Sequence, residues 1–177
     1  MLAICLALID DEEEKIKFTE IINNYERKMF AYSMSILHNE ALAEEAMWDG
    51  FYYVAKNFFK IKDEDMHKIE AYIIMSVKDA CYRVYNKEKK HSKNISMDDD
   101  DVNIEPVSFD SFNSFQTAEL EEALKTLDKV HKDVIIYKFY FNFTGEQIAD
   151  TLGISKRTVY NYLNEAKELL RKELESI

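Results

Sequence analysis

The sequence predicts an all-α chain, built as two small helical domains joined by an acidic flexible linker. Three observations carry that expectation. Only 3 of the 177 residues are Gly and 1 is Pro, too few for turn-rich β architectures. Hydrophobic residues make up 47% of the chain, enough for globular cores. Apolar residues recur at steps of three and four in two blocks, separated by one polar, acidic stretch. The length fits one medium domain or two small ones. The expected boundaries are 1–92 for the first domain, 93–118 for the linker and 119–177 for the second domain.

The opening segment MLAICLALID is apolar but short, and acidic residues follow it at once. It has neither a basic leader nor a small-residue cleavage site, so it predicts the start of a helix or a partner-contacting arm rather than a signal peptide. From about 13 to 37, Phe18, Ile21, Ile22, Tyr25, Met29, Ile36 and Leu37 mark one face of an amphipathic helix. A second helix, about 40–59, places Leu42, Ala43, Ala46, Gly50, Val54 and Phe58 inward. A third, about 66–90, places Ile73, Val77, Ala80, Cys81 and Val84 inward. Three helices of this length share one core.

Between His91 and Thr117 the periodicity stops. Asn94, Asp98 to Asp101, Pro106 and five serines read as a tether, in which Phe109, Phe112 and Phe115 are candidates to dock. Helical spacing resumes with Leu120, Ala123, Leu124, Leu127, Val130, Val134, Ile135, Tyr137 and Phe139, consistent with two short helices. Two more follow, near 145–152 and 156–175.

Net charge is −11, but the anions are concentrated. Asp10 to Glu14 and Asp98 to Asp101 with Glu105 hold ten of them, leaving the remainder near neutral. Lys78–Lys93 has six cations against two anions, and 155–172 has five against two. Local field governs phosphate binding more than the global sum. No apolar run approaches the roughly 18 to 20 residues that span a bilayer. Cys5 and Cys81 are too few for a disulfide framework, so a reducing cytoplasm is the expected compartment. His38, His67, His91 and His131 are scattered without metal-ligand spacing, and there is no Gly-rich phosphate loop. The chain is therefore not expected to be an enzyme or to carry a cofactor or metal.

The informative segment is 144–163, TGEQIADTLGISKRTVYNYL. Thr144 sits at an N-cap position and Gln147, three residues on, completes a capping box. Ile148 and Leu152 form an inner face, and Ala149 leaves room for a second helix. Gly153 occupies a turn that needs positive φ. Ile154 plugs the corner and Ser155 caps the next helix. There Val159, Leu163, Ala166 and Leu170 repeat at steps of four, three and four. This is the pattern of a helix-turn-helix. Lys156, Arg157, Tyr160, Asn161 and Asn164 lie off the buried stripe, where early residues of a recognition helix reach base edges and flanking cations reach phosphates.

Residues 120–170 resemble region 4 of the bacterial sigma-70 family, most closely its small extracytoplasmic-function-like branch (group 4). The first half agrees: ALAEEAMWDGF at 41–51 resembles the region 2 motif that contacts polymerase, and AYIIMSVKDACYRVYNK at 71–87 resembles the following promoter-reading helix. The resemblance implies a sigma factor that binds core RNA polymerase and directs promoter recognition and transcription initiation. Region 2 would grip the polymerase clamp through Glu44, Glu45, Trp48, Asp49 and Tyr52 on an outer helix face. The family usually has Gln at Trp48; an exposed Trp would suit an interface anchor, and a half-buried core Trp is the alternative. The −10 element would be read by Lys78, Asp79, Tyr82, Arg83, Asn86 and Lys87, with Tyr82 and Tyr85 as stacking platforms for single-stranded DNA. Arg83 stands where the family often has Asp. The loop that captures a flipped base would fall within Lys60 to Lys68. The −35 element would be read by Lys156, Arg157, Thr158, Tyr160, Asn161 and Asn164, and Glu165 replaces a residue that is often basic.

The expected partners are core RNA polymerase, promoter DNA and, for many relatives, an anti-sigma protein; no membrane is expected. The competing reading is a stand-alone helix-turn-helix regulator, which would dimerise and leave a two-fold symmetric footprint on a duplex. The 27 residues from Ser92 to Ala118 reach at most roughly 90 Å at about 3.3 Å each. That exceeds the roughly 50 Å of a turn and a half of duplex. By resemblance the linker threads polymerase channels, where Asp98 to Asp101 would mimic nucleic-acid charge. Replacing all four with Asn is expected to alter the yield of abortive transcripts, and an unchanged pattern of short products rejects that role.

Overall fold

The computed structural model of the chain describes residues 1–92, 123–124 and 126–176. The linker expected at 93–118 and Leu120 lie outside these residues, while His91 and Ser92 belong to a helix. The described elements are α1 (Leu2–Leu6), α2 (Glu12–Leu37), α3 (Glu40–Lys56), α4 (Phe58–Ile61), α5 (Met66–Ser92), α6 (Lys129–Ile135), a π-helical turn (Ile136–Tyr140), α7 (Gly145–Leu152) and α8 (Lys156–Ser176). No strand occurs among the described residues. The chain divides into two compact units, the first holding α1–α5 and the second α6–α8.

In the first unit, Asp11 caps α2 by accepting from the Glu14 N–H at 2.9 Å, and Glu12, Glu13 and Glu14 complement the helix dipole. The helix ends where His38 turns left-handed at φ 50 and its N–H reaches the Met34 carbonyl at 2.9 Å. Asn39 then caps α3 through the Leu42 N–H at 3.0 Å. Two residues thus reverse the chain into a tight helical hairpin.

Phe18, Ile22, Met29 and Tyr32 of α2, Phe51 and Val54 of α3, and Ile69, Ile73, Ile74 and Val77 of α5 form the core. The expected stripes largely coincide with it, although Tyr25, Leu37 and Leu42 are only half-buried. Phe58 is buried but opens α4 rather than extending α3, which stops at Lys56. The opening segment forms α1 against α2 and α3, with Cys5 and Ile9 buried and Met1, Ile4 and Leu8 exposed.

In the second unit, Ala123, Leu124, Leu127, Val134, Ile135, Ile136 and Tyr137 are buried together with Phe141 and Phe143. Val130 and Phe139, expected inside, are exposed. The π-helical turn explains Phe139: one extra residue per turn shifts the register, so Tyr137 and Phe141 face inward and Phe139 outward. At the start of α6 it is His131, not Val130, that takes the interior position.

Gly50 fixes how closely α3 and α5 approach. A Cβ there would lie 2.6 Å from Val77 Cγ2 and 2.7 Å from Val77 Cα. The second neighbour is backbone, so the clash cannot be relieved by a rotamer change. Gly50→Ala is expected to destabilise the protein by about 1–3 kcal/mol, although alanine is favoured in a helix by up to about 1 kcal/mol. Urea unfolding monitored by circular dichroism checks this.

Candidate nucleic-acid interface

The hairpin of α7 and α8 is built by local chemistry. Thr144 Oγ1 accepts from the Gln147 N–H at 3.2 Å, and Gln147 Oε1 accepts from the Thr144 N–H at 2.8 Å. This closes both ends of the capping box. Gly153 ends α7 at φ 66, ψ 32, with its N–H on the Ala149 carbonyl. The Ile154 N–H reaches the same carbonyl at 3.0 Å. Ser155 Oγ then accepts from the Thr158 N–H at 3.1 Å and starts α8. Ile148, Ala149, Val159, Leu163 and Ala166 are buried between the helices, while Leu152, Ile154 and Leu170 are half-buried.

Lys156, Arg157, Tyr160, Asn161 and Asn164 are all exposed. At about 100° per residue they fall within an arc of about 140° that lies outside the buried stripe. Tyr160 is 51% exposed, yet its ring is held in place. A Cβ on Gly145 would lie 3.3 Å from Tyr160 Cζ and Oη, so the missing side chain seats the phenol. Lys156 Nζ lies 3.6 Å from Glu146 of α7. Thr158 is set apart from the other five. It is half-buried and its hydroxyl lies 2.7 Å from Ser155 Oγ, which makes it part of the helix start.

Sequence reasoning missed the brace behind this surface. His131 Nδ1 lies 2.8 Å from Asp128 Oδ1 and Nε2 lies 3.1 Å from Glu165 Oε2. The ring meets Tyr162 edge-on at 5.2 Å between centroids. His131 thereby ties the start of α6 to the middle of α8. Its only sequence signal is the Asp128–His131 spacing at a helix start, where Asp128 also caps through the His131 N–H at 3.0 Å. Glu165 is thus a structural partner rather than only a missing cation. Burial opposes protonation of His131, but the two carboxylates outweigh it and raise its pKa above the ordinary histidine value. The Asp128 carboxyl is lowered, chiefly by the His131 N–H.

On α5 of the first unit, Asp79, Arg83 and Lys87 are exposed, and Tyr82, Tyr85 and Asn86 are half-buried. The six expected strand-reading residues span about 180° of the helix at 100° per residue. Lys78 departs from the expectation. It sits at the core edge of that arc and is buried, with Nζ 5.9 Å from the centroid of the Tyr82 ring. On α3, Glu44, Glu45, Asp49 and Tyr52 are exposed. Trp48, expected as an exposed anchor, is 8% exposed. Its indole packs 5.8 Å from the Phe51 ring, because position 48 lies only about 60° around the helix from Phe51. Among the described residues no cluster of His, Cys, Asp and Glu is arranged to hold a metal ion. No described helix is long and apolar enough to cross a membrane.

The brace makes a pH prediction for the second unit. His131 has a raised folded-state pKa, so its contribution is fully present below the ordinary value of 6.5 and is lost as pH rises through the folded value. Asp128 has a lowered one, so its contribution is present above 3.8 and is lost as pH falls through the folded value. The pair therefore supports α6–α8 most between those two values. The urea midpoint of the second unit is expected to fall between pH 6 and pH 8, and His131→Gln is expected to abolish that fall. An NMR titration of the His131 ring locates the midpoint directly.

The comparisons with known proteins agree with this geometry. Residues 117–170 match the family model described as sigma-70, region 4. An uncharacterised protein of Clostridium acetobutylicum is 26% identical over 116 residues, which cover 63% of this chain and 63% of that protein's length. A crystal structure of the sigma factor RpoE in complex with the anti-sigma factor NepR, from Bartonella quintana, superposes with a TM-score of 0.62 at 17% identity. That match covers 90% of this chain and 97% of the other, and at this identity it speaks to fold. Residues 117–170, which carry the exposed arc of α8, are thus similar to region 4 of the sigma-70 family, and most of the chain shares the all-α fold of that solved sigma factor.

Proposed function

We propose that this chain is a dissociable promoter-recognition subunit that binds core RNA polymerase and directs where transcription starts. The observation that carries the reading is the exposed arc of Lys156, Arg157, Tyr160, Asn161 and Asn164 on the second helix of a capped helix-turn-helix. In this reading the second domain docks α8 in the major groove of the −35 element. Arg157 and the two asparagines are suited to base edges, and Lys156 to phosphate. Contact with DNA exchanges the Lys156–Glu146 pair for a phosphate, which costs little because both side chains are exposed.

The first domain is assigned the two remaining tasks. Glu44, Glu45, Asp49 and Tyr52 form the polymerase-facing surface of α3, with Trp48 supporting it from beneath. Asp79, Tyr82, Arg83, Asn86 and Lys87 of α5 take the unpaired −10 strand, combining cations with aromatic faces. Lys78 contributes field from the edge of the core rather than a direct contact. The intervening linker would span the two promoter elements. The chain works as a cytoplasmic binding subunit and not as an enzyme. An anti-sigma protein is a further expected partner, because the RpoE structure it resembles is bound to one.

The decisive experiment mixes the chain with core polymerase and genomic DNA and sequences the 5′ ends of the transcripts. Starts that share two upstream elements, absent without the chain, support the reading. Nanomolar binding by the isolated chain to a two-fold symmetric operator would support the stand-alone regulator instead. At a promoter so identified, Arg157→Ala is expected to weaken holoenzyme binding by about 1–3 kcal/mol and to relax preference at one −35 position. Lys156→Ala is expected to weaken binding uniformly and to reduce the salt slope by about 1. Filter binding across a salt series separates the two.

A further inference from the structure

The short segment between α3 and α5 is pinned to α2 at consecutive points. Phe58 is buried edge-on against Phe18, with ring centroids 5.2 Å apart. Ile61 is buried as well. One residue further, the Lys62 carbonyl accepts from Lys17 Nζ, and Lys62 Nζ pairs with Glu14 Oε1 at 2.5 Å. Glu14 and Lys62 are both partly buried, so this is not a freely solvated surface pair. Glu14, Lys17 and Phe18 follow at steps of three and one, on a single face of α2.

These pins leave one outlet. Phe59 and Lys60 lie between the buried Phe58 and Ile61 and are turned outward, with Phe59 65% exposed. Lys60 Nζ lies 5.4 Å from the Phe59 ring centroid and 2.9 Å from Asn57 Oδ1, and Asn57 Nδ2 donates to the Tyr53 carbonyl at 2.9 Å. An exposed aromatic ring with an ammonium group beside it is the combination that stacks an unpaired base and attracts its phosphate. Exposing a phenyl ring is unfavourable, and here the surrounding contacts prevent it from folding inward.

We propose that Glu14, Lys17 and Lys62 are positioning residues that hold the Phe59–Lys60 tip toward single-stranded promoter DNA, so that the efficiency of strand opening is set from α2. The inference rests on the proposed role of the first domain in capturing the unpaired strand. The acidic start of α2 then has a task of its own: it anchors a DNA-contacting loop from behind through Lys62, while Lys17 fixes the backbone.

The test uses the full chain with core polymerase and a promoter carrying 2-aminopurine in the −10 non-template strand. Phe59→Ala, Lys17→Met and Glu14→Gln are each expected to slow the fluorescence rise by about tenfold, comparable to the loss of one stacked base. Affinity for core polymerase is expected to stay within about twofold of wild type, on the order of 0.4 kcal/mol. A reversed pair, Glu14→Lys with Lys62→Glu, is expected to restore opening that either single reversal loses, and Lys17→Arg to retain it. Opening at the wild-type rate in all three loss variants, or a parallel loss of core affinity and opening that the reversed pair does not restore, overturns the clamp. Failure of the wild-type chain to direct any promoter-specific start overturns the reading beneath it.

Discussion

The approach of α3 to α5 at Gly50 is the constraint on which the first unit depends. One helix carries the carboxylate-rich face, and the other carries the cation- and tyrosine-rich face. Both faces look away from a contact so close that a methyl group would meet the Val77 backbone. Dense packing transmits position without slack. A surface proposed to grip polymerase and a surface proposed to hold DNA are therefore fixed to one rigid pair of helices. The remaining elements shape the ends of that pair: α2 closes the core, α1 covers part of it, and the segment after α3 is pinned down side chain by side chain.

The second unit reaches a similar end with fewer buried apolar side chains among its described residues. Its helices α6 and α7 are short, and isolated helices of that length are marginal in water. The capping box at Thr144, the left-handed Gly153 and the Ser155 cap define where each helix begins and stops. His131 adds a polar tie between α6 and α8, placed on the side of α8 away from its exposed arc. Both ring nitrogens face carboxylates, an arrangement that favours the charged imidazolium and orients the ring at the same time.

Most of this architecture was legible in the sequence because it is encoded locally. Apolar spacing located the long helices, and the run from Thr144 to Ser155 specified its own turn through residue chemistry. The misreadings have physical causes. Phe139 followed a 3.6-residue count that a π-helical turn interrupts. The resemblance places Trp48 on an outer helix face, whereas its angular proximity to Phe51 draws the indole inward. Lys78 lies at the border of an arc, where a long side chain buries its stem against the core. The brace through Glu165 and the pins on Lys62 join residues 34 and up to 48 positions apart. Such pairings depend on tertiary placement and leave almost no trace in local pattern.

The ion pair between Glu146 and Lys156 has a further implication for a chain with net charge −11. The overall negative charge repels random duplex at long range, and the exposed carboxylate beside the leading cation of α8 lowers the local attraction slightly further. Under the proposed reading, idle copies would not be titrated onto the chromosome. The search for target sequences would fall to the assembled enzyme, and the number of active complexes would follow the supply of polymerase rather than the abundance of bare DNA.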